Sequence, residues 1–250
     1  MKPKVGRKRL DLLLVERGCA ESFQKATAMI LAGEVQVDGR RAGKAGMPVA
    51  EDARIEVTSR VQKFVSRGGI KLEGALEDFG IDPAGRVCLD IGSSHGGFTD
   101  CLLQRGAARV YATDVSVEQL DWKLRQNPRV IPLERNARDL KVEDLPESVE
   151  IVVIDVSFIS VRKVIAPAVA LAKPGADLLI LVKPQFELRR EEIGSGGIVK
   201  DQRLHDQAIQ TVRKYIESLG LECRAVRPSR LLGAEGNQEY FLHARKKTLE

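Results

Sequence analysis

From Arg86 onward the chain alternates short apolar, β-rich runs with stretches of helical spacing, and few folds accept that order. The runs are Val87-Cys-Leu-Asp-Ile91, Arg109-Val-Tyr-Ala-Thr113, Ile151-Val-Val-Ile154 and Leu178-Leu-Ile-Leu-Val182. Nearly continuous apolar runs of this length suit strands covered on both faces, as in a parallel sheet sandwiched between helices. Helices are predicted near 98–105, 117–126, 160–172 and 203–219. The spacing predicts a doubly wound α/β sheet, parallel at least at its centre. Glu239-Tyr-Phe-Leu-His-Ala244 comes soon after Cys223-Arg-Ala-Val226 and predicts an antiparallel hairpin at one edge.

In such a sheet ligands bind beyond the carboxyl ends of the strands. Asp90-Ile-Gly-Ser-Ser-His-Gly-Gly-Phe98 follows the first strand and opens a helix, so its glycines let backbone approach a ligand. Asp114 ends the second strand, where a carboxylate accepts hydrogen bonds from ribose hydroxyls. The loop lacks the G-x-G-x-x-G spacing of a dinucleotide site; its glycines are Gly92, Gly96 and Gly97. With Asp90 placed to hold a cationic amino-acid tail, the preferred ligand is S-adenosylmethionine, a dinucleotide or a purely structural loop being the alternatives. The expected cofactor-binding residues are Asp90, Gly92, Ser93, Ser94, His95, Gly96, Gly97, Phe98, Asp114 and Asp155. His95 is read as a loop cap or a cofactor contact, not a catalyst. His205 and His243 have no evident partners in the sequence.

The N-terminal quarter is organised differently. Leu10, Leu13 and Leu14 make a short amphipathic helix stopped by Gly18. Ser22 caps a second helix with Phe23, Ala26 and Ile30 inward, ending at Gly33. Val35 and Val37 alternate with Gln36 before the tight-turn pair Asp38-Gly39, and Arg54-Ile-Glu-Val57 closes the sheet. This is a module without room for an active site. The expected division is a small α+β domain over 1–59, a polar linker over 60–69 with a flexible Gly68-Gly69 end, and the α/β domain over 70–250.

Charge separates the same parts. Residues 1–67 hold 14 Lys/Arg against 8 Asp/Glu, and residues 68–250 hold 26 against 27. A local basic excess suits a polyanion, because neutralised phosphates release counterions; a solvated basic arm is the bland alternative. No apolar run approaches the roughly 20 residues that span a bilayer. The basic start, Met1-Lys-Pro-Lys-Val-Gly-Arg-Lys-Arg9, is followed by no apolar signal segment. Cys19, Cys88, Cys101 and Cys223 lack metal-ligand spacing. A cytoplasmic protein with reduced thiols, no bound metal and no membrane contact is expected.

The N-terminal pattern resembles the S4-type RNA-binding domain, through Arg9-Leu10-Asp11, the Ser22 helix with Ala26, and Gly33-Glu-Val-Gln-Val-Asp-Gly39. Phe23 stands where that family usually has arginine. The resemblance implies phosphate contacts from Lys25, Arg40, Arg41 and Lys44, with Arg7, Lys8, Arg9 and Arg67 as further RNA-binding candidates.

The rest of the chain carries Ser66-Arg-Gly-Gly, Gly92-Ser-Ser-His-Gly-Gly-Phe-Thr99, Asp155-Val-Ser-Phe-Ile-Ser160, Lys183-Pro-Gln-Phe-Glu187 and Gly236-Asn-Gln-Glu-Tyr-Phe241. In this order they resemble the TlyA family, also labelled haemolysin A, which belongs with the FtsJ-like ribose methyltransferases. The resemblance implies a Rossmann-like seven-stranded class I methyltransferase domain. It also implies a Lys–Asp–Lys–Glu tetrad, carried onto Lys71, Asp155, Lys183 and Glu239, and cytidine ribose methylation in ribosomal RNA or ribosomal subunits.

A ribose hydroxyl is a weak acid and a poor nucleophile, so its proton loss must be assisted as it attacks a methyl group. A lysine near carboxylates stabilises the developing alkoxide or acts as base. Lys183 is expected to act directly, with Asp155 and Glu239 orienting it and Lys71 in support. Asp155 is followed by Val-Ser-Phe, not by the Pro-Pro-aromatic sequence common in base methyltransferases, which favours ribose. The rival readings are a non-catalytic RNA-binding or assembly protein and, taking the haemolysin label literally, a pore-former. Gly194-Ser-Gly-Gly197 reads as a lid over the site or a plain flexible loop.

Overall fold

The computed structural model describes residues 6–57, 63–233 and 236–248. The chain divides into two compact units, Met1–Lys63 and Phe64–Glu250. The first contains β1 (Arg7–Arg9), α1 (Leu10–Glu16), α2 (Phe23–Ala32), β2 (Val35–Val37), β3 (Arg40–Arg41), β4 (Pro48–Ala50) and β5 (Ile55–Val57). Leu10, Leu14, Ala26, Ile30 and Val35 form its buried centre. Ser22 Oγ accepts the Lys25 N–H at 3.2 Å and caps α2, as its position predicts. Asp38 and Gly39 both take positive φ, 49° and 77°, the hairpin geometry that lets β3 fold back on β2. The pairing of β1 with β4 is new relative to the sequence reading. It puts Arg7–Arg9, expected among the RNA-binding residues, into a strand.

The second unit contains α3 (Gly68–Phe79), β6 (Val87–Ile91), α4 (Gly97–Gln104), β7 (Arg109–Asp114), α5 (Trp122–Arg125), β8 (Val130–Glu134), β9 (Val149–Ile154), α6 (Arg162–Leu171), β10 (Ala172–Val182), α7 (Pro184–Glu187), α8 (Gln202–Ser218), β11 (Leu221–Pro228) and β12 (Tyr240–Lys246). Its seven strands run in the order β11-β12-β10-β9-β6-β7-β8. Within the sheet β12 is antiparallel to both neighbours and the other pairings are parallel. This is the expected class I architecture with its edge hairpin. One face is covered by α3 and α4 through Leu72, Leu76 and Leu102, the other by α6 and α8 through Val164, Ile165, Val212 and Ile216.

The structure departs from the sequence reading in several places. β8 was not expected, because Pro132 interrupts its apolar run; as the edge strand it tolerates a residue with no N–H to donate. The helix expected over 117–126 is a 3₁₀ turn at Val117–Gln119 followed by the single turn α5. Gly68 and Gly69 do not form a flexible end but open α3. A Cβ on Gly69 would lie 2.3 Å from the ring of Phe64, which is itself 2 % exposed, so glycine here serves close packing. Residues 64–69, expected as linker, therefore belong to the second unit; 58–62 lie outside the described residues.

Candidate active site

The strand order changes direction about β6, with β7 on one side and β9 on the other, which is where such sheets open a crevice. The loop after β6 fills it. Gly92, Ser94 and Gly96 all take left-handed backbone conformations, with φ of 81°, 47° and 91°. Gly92 has no room for a side chain without a shift of its neighbours, since a Cβ there would lie 2.2 Å from the Asp155 carbonyl oxygen. Ser94 N–H donates to Asp114 Oδ2 at 2.9 Å, tying the loop to the end of β7.

Two cavities adjoin this loop. One, of about 220 Å³, is lined by Gly92, Ser93, Ser94, His95, Gly97 and Phe98 together with Lys71, Asp155 and Arg67. The other, of about 350 Å³, is lined by Gly92, Ser94, Thr113, Asp114 and Asp155 and by Arg135, Asn136 and Phe158. They share Gly92, Ser94 and Asp155, so a molecule with two unlike halves fits across the join. Ser93 Oγ and Thr113 Oγ1 are buried without a hydrogen-bond partner among the described residues, one at each cavity. A polar ligand satisfies such orphaned groups.

Asp90 and Gly96, both expected to bind cofactor, line neither cavity. Gly96 packs against Leu120 and Leu124. Asp90 is wholly buried behind the loop, its Oδ2 accepting a 2.6 Å bond from Thr99 on α4. Burial pushes its carboxyl up to about 7; the Thr99 hydroxyl opposes this and the nearby Asp155 and Asp114 carboxylates add to it. A carboxyl with a raised folded pKa contributes stability fully below its unfolded value near 3.8, and loses it as pH rises through about 7. Asp90→Asn keeps the shape and removes the titration. Calorimetric melting between pH 4.5 and pH 8 should therefore show the wild type losing stability relative to the variant as pH rises; parallel curves would show that Asp90 does not titrate in that window.

The four tetrad candidates resolve into two ion pairs. Lys183, just beyond β10, places Nζ 2.5 Å from Asp155 Oδ1, beyond β9, and donates to Ser157 Oγ at 2.8 Å. Lys71 on α3 places Nζ 2.5 Å from Glu239 Oε2. Lys71, Lys183 and Glu239 are all under 10 % exposed. The expectation that Glu239 orients Lys183 is corrected: each lysine has its own carboxylate. A buried ammonium needs a counter-charge, and Glu239 precedes β12, whose residues Phe241 and Leu242 pack on opposite faces of the sheet, while Glu239 itself meets α3.

Several residues near the site were missed in sequence. Ser157 and Phe158 stand inside a motif whose aspartate alone was assigned a role. Phe158 is 87 % exposed with φ of 68°, and its ring lies 5.5 Å from that of Phe186. Arg135 and Asn136 follow the unrecognised β8. His95 is exposed, with Nδ1 3.2 Å from Ser94 Oγ, consistent with a loop-capping role. His205 and His243 do have partners: Tyr240 and the Val199 carbonyl for one, Asp177 for the other. The Gly194–Gly197 segment ends on the buried Asn237, whose side chain donates to the Gly197 carbonyl and accepts from the Val199 N–H, both at 2.9 Å.

In the first unit the basic candidates divide. Lys8 pairs with Glu16, and Arg9 makes two bonds to the buried Asp11, holding its carboxyl below the usual range. The Arg9 guanidinium also lies 5.7 Å over the ring of Phe23, so the residue that departs from the S4 pattern has a cation on its face. Arg41 donates to the Ala32 carbonyl at 3.3 Å. Arg7, Lys25, Arg40 and Lys44 have no ion-pair partner among the described residues. Among the described residues, no helix is long and apolar enough to cross a membrane, and no cluster of three His, Cys, Asp or Glu side chains is placed to hold a metal.

Comparison with known proteins bears on both units. Residues 64–246 match the family model described as FtsJ-like methyltransferase, and residues 8–55 match the S4 domain. A Mycobacterium tuberculosis protein named 16S/23S rRNA (cytidine-2'-O)-methyltransferase TlyA is 46 % identical over 244 residues, covering 97 % of this chain and 91 % of its own. Hemolysin A of Brachyspira hyodysenteriae is 40 % identical, covering 94 % of this chain and 98 % of its own. A solved Streptococcus thermophilus protein with a provisional hemolysin name superposes with a TM-score of 0.76 at 35 % identity, covering 98 % of this chain and 90 % of its own.

Proposed function

The chain belongs to the FtsJ-like methyltransferases, and from that membership we propose that it transfers the methyl group of S-adenosylmethionine to a ribose 2'-hydroxyl, that of a cytidine, in ribosomal RNA. The observation that carries the reading is the Lys183–Asp155 ion pair at the adjoining ends of β10 and β9, beside the two-part cavity. The cytidine assignment rests on the name of the 46 % identical relative.

The cavities fit the cofactor. Asp114, Thr113 and Asn136 line the compartment suited to its nucleoside, and Ser93, Ser94 and Gly97 line the one suited to its amino-acid tail. Bound there, it supplies an electrophilic methyl group whose departing sulphide needs no proton. Everything else falls to the chain. The Lys183 ammonium lies in ion contact with Asp155 and donates one N–H to Ser157; another N–H holds the attacking ribose oxygen and stabilises the charge that develops on it, while the hydroxyl proton passes to solvent. Lys71, on the cavity wall and paired with Glu239, presents the positive end of that ion pair to the same compartment. Phe158, exposed beside Asp155, offers a ring face on which the base of the target nucleotide stacks.

The S4 unit supplies sequence-independent grip. Arg7, Lys25, Arg40 and Lys44, which have no ion-pair partner among the described residues, hold phosphates. Such a substrate places the work in the cytoplasm, which suits four cysteines that form no disulfide among the described residues.

The test is transfer of labelled methyl from S-adenosylmethionine to unmodified small, large and joined ribosomal subunits, with mass spectrometry of the nucleosides. A 2'-O-methylated cytidine is expected. A methylated base would remove the ribose assignment, and cofactor binding without transfer to any subunit would favour a non-catalytic RNA-binding protein.

A further inference from the structure

Two short segments carry the reactive pair: residues 155–161 after β9 hold Asp155, and residues 183–187 after β10 hold Lys183. Neither is part of the sheet, and one contains Phe158 in a left-handed backbone conformation that a side chain disfavours. What sets their register is therefore a separate question from what sets the strands. The segments meet in a ladder. Lys183 pairs with Asp155 and Ser157, Phe186 packs on Phe158, and Glu187 closes the far end.

Glu187 is a motif residue to which the mechanism gives no part. Its side chain is 1 % exposed. Oε2 accepts the Ser160 hydroxyl at 2.6 Å and, more distantly, Arg162 Nε at 3.4 Å; Oε1 accepts the Val161 N–H at 2.7 Å. Val161 is the N-cap of α6 and offers no side-chain cap, so this carboxylate arrives from another segment to serve the helix N-terminus. Burying a carboxylate is costly unless its acceptors are used, and here both oxygens are. The arrangement binds the start of α6, and with it the segment bearing Asp155, to the turn bearing Lys183.

We propose that Glu187 is a positioning residue for methyl transfer, stapling the two segments so that Asp155 and Ser157 hold the Lys183 ammonium at the reacting oxygen. The inference rests on the ribose-methyltransferase reading above and adds to it a residue that touches neither cofactor nor substrate.

Two variants and two readouts test it. E187Q and S160A are compared with wild type for methyl transfer to ribosomal subunits, resolving kcat from KM for cofactor and for subunits. In parallel, each folded protein is labelled with trace acetic anhydride, and modification of Lys183 is scored against Lys71, whose partner Glu239 lies outside the ladder. In E187Q kcat should fall about tenfold or more, because small misplacements of a catalytic group are costly, with both KM values within about twofold. Lys183 should become more reactive relative to Lys71, and S160A should move both readouts the same way to a smaller extent. Unchanged kcat with unchanged Lys183 labelling overturns the proposal. So does a loss that appears as a raised KM for cofactor, or as Lys183 and Lys71 rising together, since either marks a general structural role. If E187Q does not fold, S160A decides by the same criteria. If the wild type methylates no ribose, the functional reading fails while the labelling still decides whether Glu187 positions Lys183.

Discussion

Lys183→Ala should lower methyl transfer to unmodified subunits by about a thousandfold while leaving cofactor affinity within a few fold. Lys183 lines neither cavity, so on the proposed mechanism its loss removes an interaction made with the reacting oxygen and not with the bound cofactor. Such a loss appears in kcat with KM little changed. Lys183→Arg is the sharper control. It keeps the charge and a counter-ion for Asp155, but a planar guanidinium cannot sit against Asp155, donate to Ser157 and face the substrate in the geometry of a tetrahedral ammonium. A loss of about a hundredfold or more is expected from that variant too. Transfer by Lys183→Ala within tenfold of wild type would move the direct role to Lys71, the other buried lysine at the site, and Lys71→Ala should then carry the larger defect.

The sheet was legible because its central strands are buried on both faces and so spell themselves as apolar runs. Signals failed where a strand or turn is defined by something other than hydrophobicity. Pro132 hides β8, and only the sheet's edge makes a proline acceptable there. Gly68-Gly69 reads as flexibility in one dimension, but in three dimensions it makes room for the buried ring of Phe64. The site shows the same division. Motif positions located Lys71, Asp155, Lys183 and Glu239, yet the pairing of carboxylates with lysines depends on which segments meet above the sheet, and spacing along the chain carries no such information. Lys71 and Glu239 are 168 positions apart. Asp90 is the converse case: its place before the glycine loop suggested a ligand contact, and only the fold shows that Thr99 takes its carboxylate from behind.

The loop's geometry is testable apart from its chemistry, through Gly92→Ala. Two penalties add at that position. The backbone sits at φ of 81°, where a Cβ costs about 1–2 kcal/mol. The same Cβ would stand 2.2 Å from the Asp155 carbonyl oxygen and 3.3 Å from Val156 Cγ1, and overpacking of this kind adds about 1–3 kcal/mol. Neither backbone is free to yield, since Gly92 N–H donates to the Thr113 carbonyl and Asp155 N–H to the Ile91 carbonyl, both at 2.9 Å. The strain must therefore displace either the loop that lines both cavities or the segment that carries Asp155. A melting temperature lower by about 10 °C is expected for a unit of this size, together with cofactor binding weakened about a hundredfold and transfer reduced at least as much. Gly220→Ala separates the two penalties, because Gly220 has φ of 78° but nothing within 4 Å of where its Cβ would lie. That variant should lose a few degrees and bind cofactor normally. If Gly92→Ala behaves like Gly220→Ala, the loop tolerates a methyl group against Asp155, and the close approach of β6 to the end of β9 is not what shapes the cofactor site.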